Sequence, residues 1–297
     1  MNKSMKRLTI FLVLTFLMAN VLQLVYFHSN PYYDAEGNMS NATSFILMFS
    51  MLTPSAAMLV TRFITKEGFK TTGKDSMMLG ISFGGGKWLF FVLAFIVPWI
   101  AGEAGAVLEF ICFPKSFAPS IIDSGVKDVI GFIPVIGISQ SICISFGALG
   151  EEAGWRGYMM PKLEERFGIV KAVIIGGVIW GAWHYVSIIY GHNYGLSYMG
   201  APWSGMLVFT VFTVFENAFL TYLTKKTDSV WPATFAHAFN NTGASILYFM
   251  INKNALPEID STFGLLINIP MLLAGVFFLF KLKAFCCTNS SQQHTCS

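Results

Sequence analysis

Long apolar runs separated by short polar connections dominate the chain. Eight of them fall near residues 8–27, 43–65, 88–112, 129–160, 171–190, 205–223, 230–251 and 263–282. Each is close to the ~20 residues that a helix needs to cross a hydrocarbon core. The first run follows Lys3, Lys6 and Arg7 as a signal peptide would. It is longer than the roughly 7–15-residue core of such a peptide and lacks a convincing cleavage site, so it reads as an uncleaved first span. The third run carries Glu103 and Glu109, which predict an interfacial outer part. The fourth contains Pro134 and Gly137, which predict an oblique entry or a break.

Charge in the connections tests this division. With the N-terminus on the cytoplasmic side, that side receives Lys3, Lys6, Arg7, Arg62, Lys66, Lys70, Lys74, Lys87, Lys162, Arg166, Lys171, Lys225, Lys226, Lys281 and Lys283. Lys115, Lys127 and Lys253 fall outside, and Arg156 lies within the fourth run. Such an imbalance is what the positive-inside bias produces, and adding or dropping one span would destroy it. The expectation is an all-α, polytopic protein of the cell membrane with about eight spans and both termini cytoplasmic. Its segments divide into 1–128 with the first spans, a core at 129–251, and 252–297 with the last span and a short tail, polar and disordered after Lys283.

Composition agrees. Hydrophobic residues make up 54% and charged residues 12%, against about a quarter charged in soluble domains. The net charge of +3 comes from basic residues scattered between apolar runs, which argues against a nucleic-acid partner. The five cysteines have no CxxC spacing. Cys286 and Cys287 follow the last run, where palmitoylation or two plain thiols would both fit, and residues 294–297 form no prenylation box. Asn38 and Asn41 head glycosylation sequons in an outer connection, relevant only in a eukaryotic host.

Ionisable groups inside a bilayer are costly and mark sites by default. Glu151, Glu152 and Arg156 stand in the fourth run, His184 in the fifth, Glu216 in the sixth, and His237 with Asn241 in the seventh. The residues beyond the two carboxylates stay small, aromatic and apolar up to Pro161, so the helix is expected to continue to about Met160. Glu152 and Arg156 are then one turn apart in the favourable order for an ion pair. Glu151 points elsewhere, and a carboxylate in a low-dielectric site suits a general base. Interfacial anchoring is the plain alternative for these carboxylates, and hydrogen bonding between helices is the alternative for His184, His237 and Asn241. Depth favours one chamber. Counted from the cytoplasmic ends at 1.5 Å per residue, Glu151, His184, His237, Asn241 and Glu216 all fall roughly 10–20 Å in.

Glu151-Glu152-x-x-x-Arg156, Trp180-x-x-x-His184 and His237-x-x-x-Asn241, in that order, resemble the three motifs of the CPBP family. This family comprises CAAX prenyl endopeptidases and bacteriocin-processing proteins of the Abi type. The likeness covers about residues 130–250. Its second motif has Trp180 where Phe is also common. The resemblance implies a helical core around a cavity open to the cytoplasm, and hydrolysis of a peptide bond near the C-terminus of a membrane-associated substrate. It further implies that Glu151 and His184 polarise the attacking water, that His237 and Asn241 hold the oxyanion, and that Glu152 and Arg156 form a structural pair. Glu216 is outside the motifs and is offered as a partner of a histidine.

Family members are often labelled metalloproteases. Glu151, His184 and His237 could bind zinc, although there is no HExxH helix and a Glu/His-activated water needs no ion. Two other functions fit buried Glu and His: a non-catalytic immunity or regulatory protein built on the same fold, and a proton-coupled transporter. The latter lacks the recurring broken segments of inverted repeats. The substrate, either a prenylated CaaX tail or a peptide or bacteriocin precursor, does not follow from the sequence, and neither does the oligomeric state.

Overall fold

The computed structural model describes residues 3–33, 39–119, 130–243 and 245–289, with side chains as far as Phe285. Asn38, Lys127, the residues after Asn289 and the side chains of Cys286 and Cys287 lie outside the described residues. Every regular element among the described residues is helical.

In chain order these are α1 (Lys3–Phe27), α2 (Asn41–Met51), α3 (Thr53–Ile64), α4 (Trp88–Cys112), α5 (Ile133–Gly154), α6 (Met160–Phe167), α7 (Ile169–Trp183), α8 (Tyr185–Ile189), α9 (Trp203–Thr227), α10 (Trp231–Thr242), α11 (Glu258–Phe263) and α12 (Leu265–Asn289). The chain is a multi-pass, all-α membrane protein. Six stretches among the described residues are long and apolar enough to cross a bilayer: α1, α2 with α3, α4, Ile130–Phe167, α9 and α12 as far as Phe285. The two remaining expected spans are shorter. The fifth is the 15-residue α7, which bends at His184 into the five-residue α8, and the seventh is the 12-residue α10. Both carry site residues.

Three boundaries differ from the sequence expectation, each for a physical reason. Pro134 causes no break because it sits in the first turn of α5, where a missing N–H costs nothing. The irregularity comes instead at the π-helical turn Trp155–Met159, after which α6 carries the rod on to Phe167 rather than stopping near Met160. The last helix runs past Lys283 to Asn289, so the polar tail begins later than expected. The outer part of α4 is also more buried than an interfacial segment. Glu109 is 1% exposed, and Glu103 accepts the N–H groups of Ile246 and Leu247 at 2.7 and 3.0 Å, fixing the turn after α10.

Side-chain bonds define two ends of the bundle. At one, Glu67 gathers Arg7 and Lys162, each at 3.5 Å, together with the hydroxyl of Tyr158 at 2.5 Å. Burial alone would raise the Glu67 carboxyl, but hydrogen bonds from Tyr158 and Thr65 and the nearby cations hold it below the ordinary range. Lys225 binds Glu164 at 2.9 Å and Lys87 binds Asp228 at 3.4 Å at this same end. Arg62, 2% exposed, ties down the connection to α4 by donating to the carbonyls of Gly68, Asp75 and Ser76. At the opposite end, Tyr32 bonds His192 at 2.6 Å, Asn252 N–H donates to the Ser116 carbonyl at 2.8 Å, and Phe27 stacks on Tyr190.

Apolar packing fills the Lys/Arg-rich half. Phe11 meets Trp155 edge-on at 5.8 Å and Tyr158 at 5.1 Å, and Met159, Leu163, Phe219, Leu220, Leu223 and Ala233 are almost fully buried in the same cluster. A cavity of about 720 Å³ occupies the other half. The sequence expectation of a chamber facing the Lys/Arg-rich end is therefore corrected: the cavity lies toward the opposite end. The seven extra residues of the rod after Met160 move Glu151 about 10 Å further from that end, and the aromatic core takes up the space between.

Candidate active site

Glu151 and Glu152 lie at the crossing of α5 with the α2–α3 junction. The junction comes close because Gly150 and Gly154 face it. A Cβ at Gly150 would stand 2.7 Å from the Met51 carbonyl oxygen, and one at Gly154 would stand 2.4 Å from Pro54 Cβ. With two glycines one turn apart on the packing face, the intervening carboxylates turn toward α7 and α10. Glu151 is 1% exposed and Glu152 0%.

Each buried carboxylate has its own donors. Glu151 Oε2 accepts the indole N–H of Trp180 at 2.7 Å and that of Trp155 at 3.3 Å. Glu152 Oε1 accepts from Arg156 at 2.7 Å, the pair expected from the spacing, and also from His237 Nδ1 at 2.9 Å. The guanidinium of Arg156 lies 4.1 Å from the centroid of the Trp180 ring. One chain of contacts thus runs from His237 through Glu152, Arg156 and Trp180 to Glu151. A cation on the face of an indole draws electron density from it and strengthens its N–H as a donor.

The histidines are oriented by the same logic. His184 sits at the bend between α7 and α8, and its Nδ1 is 3.0 Å from the Trp180 carbonyl. Only an N–H can bond a carbonyl oxygen, so Nδ1 carries the proton and Nε2 is left with its lone pair. His237 donates Nδ1–H to Glu152, leaving Nε2 as its other polar atom. The Trp180 ring lies between the two, 6.2 Å from His184 and 5.3 Å from His237.

Glu151, His184, His237, Asn241 and Glu216 all line the 720 Å³ cavity. Asn241 is exposed and stands one turn beyond His237 on α10. Glu216 has no hydrogen bond to either motif histidine among the described residues. Sequence reasoning missed His192. Its ring lies parallel to that of His184 at 6.3 Å and it lines the same cavity. Burial pushes the His192 imidazole down to about 4, so it is neutral at pH 7. Burial likewise raises the Tyr32 phenol, which makes the Tyr32 O–H the donor in their 2.6 Å bond. Only the bend at His184 brings residue 192 back beside it, and no spacing rule signals that. The indole N–H of Trp180 was legible as a residue type but not as a ligand of Glu151.

A metal does not fit these side chains as they stand. Among the described residues no three His, Cys, Asp or Glu side chains come together in an arrangement that could hold an ion.

Residues 136–243 match the family model for type II CAAX prenyl endopeptidases, Rce1-like, and the stretch contains all three motifs. The matched stretch makes the chain similar to this family of membrane endopeptidases over its motif-bearing core. A relative, CAAX prenyl protease 2 of Methanococcus maripaludis, is 26% identical over 183 residues, covering 61% of this chain and 62% of the relative. The match thus spans less than two thirds of that relative's length.

Proposed function

We propose that this chain is an intramembrane endopeptidase that hydrolyses a peptide bond with a water activated by Glu151 and His184. The observation that carries the reading is the arrangement of Glu151: a buried carboxylate gripped on one oxygen by two indole N–H groups, on the wall of a cavity shared with both motif histidines. A base needs a fixed direction and one oxygen left for the proton it takes. The indoles supply the first by holding Oε2, and Oε1 remains for the water.

His184 Nε2 accepts the water's second hydrogen and aligns its oxygen on the scissile carbonyl carbon. Glu151 takes a proton as the new C–O bond forms. The carbonyl oxygen becomes an oxyanion facing His237 Nε2 and the Asn241 amide, donors preorganised where charge develops. For Nε2 to donate, His237 has to carry both protons, and Glu152 at 2.9 Å supplies the matching negative charge. Collapse of the intermediate breaks the C–N bond, and the proton held by Glu151 passes to the leaving nitrogen.

The family match and the CAAX prenyl protease 2 relative support an endopeptidase working on membrane-associated substrates, of which prenylated tails and peptide precursors are the two classes. Glu151→Gln keeps the shape and removes the base. The variant is expected to accumulate in membranes as wild type does and to lose cleavage, scored by mass spectrometry of peptides from cells carrying either chain. Unchanged peptide patterns in Glu151→Gln, or in His184→Ala, would sink the proposal.

A further inference from the structure

Resting on the peptidase reading, we infer that the site is served from the non-cytoplasmic face, and that its substrates are peptide segments of exported or externally exposed chains. Three independent observations converge on this.

The first is charge. The fifteen Lys and Arg residues assigned to one side fall in the segments at one end of the bundle, where Arg7, Lys162, Lys225 and Lys87 pair with Glu67, Glu164 and Asp228, while Lys115 and Lys253 lie in connections at the other. Connections this short obey the positive-inside bias, so the Lys/Arg-rich end is cytoplasmic. The second is the packing of that half. Phe11, Trp155, Tyr158, Phe219 and Leu223 are all buried there and block the path from the cytoplasmic end to Glu151.

The third is the cavity wall. Its outer lining comes from His192, Asn193 and Tyr194 in the connection after α8, and from Phe263 and Leu265 at the start of α12. A second cavity of about 420 Å³ adjoins it at this same end, sharing Asn193, Asn240 and Phe263. Leu47 and Met51 of α2 and Leu207 and Val211 of α9 also line the cavity, and Leu207 is 67% exposed, so its side chain meets both the bundle surface and the cavity. An apolar peptide segment lying in the outer leaflet can enter there without first crossing water.

The test uses the full chain in intact cells, with Asn193→Cys or Lys70→Cys, a charged membrane-impermeant maleimide, and wild type as background for the native cysteines. Asn193→Cys is expected to label in intact cells several-fold above wild type, and Lys70→Cys only after permeabilisation. Any other pattern overturns the sidedness, and Leu265→Cys reports on the same wall should Asn193→Cys fail to accumulate. Labelling is repeated with Glu151→Gln, where the same pattern shows that it reads access and not cleavage. In parallel, peptides in the medium and at the cell surface are compared between wild type and Glu151→Gln. Uncleaved precursors accumulating outside support the substrate class. Changes confined to cytosolic proteins overturn it while leaving the peptidase reading standing, and no change in any compartment overturns that reading itself.

Discussion

Trp180→Phe isolates one hydrogen bond. Phenylalanine keeps an aromatic ring between the two histidines and removes the N–H that reaches Glu151 Oε2 at 2.7 Å. Glu151 would keep the 3.3 Å bond from Trp155 alone. A hydrogen bond to a charged group is worth about 1.5–3 kcal/mol, and the weaker seat for Arg156 on a smaller ring adds about 0.5–1 kcal/mol. If the carboxylate depends on this bond for its aim, the combined loss of about 2–4 kcal/mol lowers kcat/KM about 30- to 700-fold, at roughly 1.4 kcal/mol per factor of ten. The assay is cleavage of an internally quenched peptide by detergent-solubilised protein, with both sides of the chain accessible, alongside a thermal melt. Trp155→Phe, which removes the longer bond, is the control and is expected to slow cleavage less. Wild-type rates in Trp180→Phe, or a larger loss in Trp155→Phe, would refute the assignment of Trp180 as the residue that positions the base.

Three further outcomes follow from the packing and the charges. Gly150→Val brings a branched side chain against the Met51 carbonyl oxygen. Overpacking of about 1–3 kcal/mol should appear as a lowered melting temperature in detergent. Glu152→Gln strips the partner from a buried Arg156 that is 1% exposed and should cost about 3–5 kcal/mol, seen as poor accumulation. Glu152→Gln combined with Arg156→Met should recover much of this, and a double variant no better than the single would contradict the pairing. His192 is neutral when folded, with its value near 4 against 6.5 for an unfolded histidine. Between those values the unfolded chain binds the extra proton, so stability is full above pH 6.5 and declines as pH falls toward 4. Melting of wild type should show that decline more strongly than His192→Phe.

The three motifs were legible because burying an ionisable group in lipid leaves a clear mark in sequence, and the Glu152–Arg156 pair followed from helical spacing alone. The family likeness and the multi-pass, all-helical class were legible for the same reason. Depth was not. It depends on where a rod ends, and hydropathy could not foresee a π turn at Trp155–Met159 followed by another eight residues of helix. The location of the chamber moved with it. His192 was invisible because its nearness to His184 arises from a bend and not from a period. The double duty of Glu152, which binds both Arg156 and His237, was hidden because the second bond spans 85 residues of chain.

That shared oxygen has a consequence for how the protein comes into being. Synthesis delivers Glu152 and Arg156 first, already able to cancel each other, then Trp180 to cover the guanidinium, and His237 only when α10 has been made. Until then Glu151 and His184 stand in the membrane without His237 or Asn241 beside them. On the proposed mechanism, a ribosome-bound or prematurely truncated product would be inert, however well its first six membrane segments have inserted. The cavity wall is complete only once the seventh segment docks.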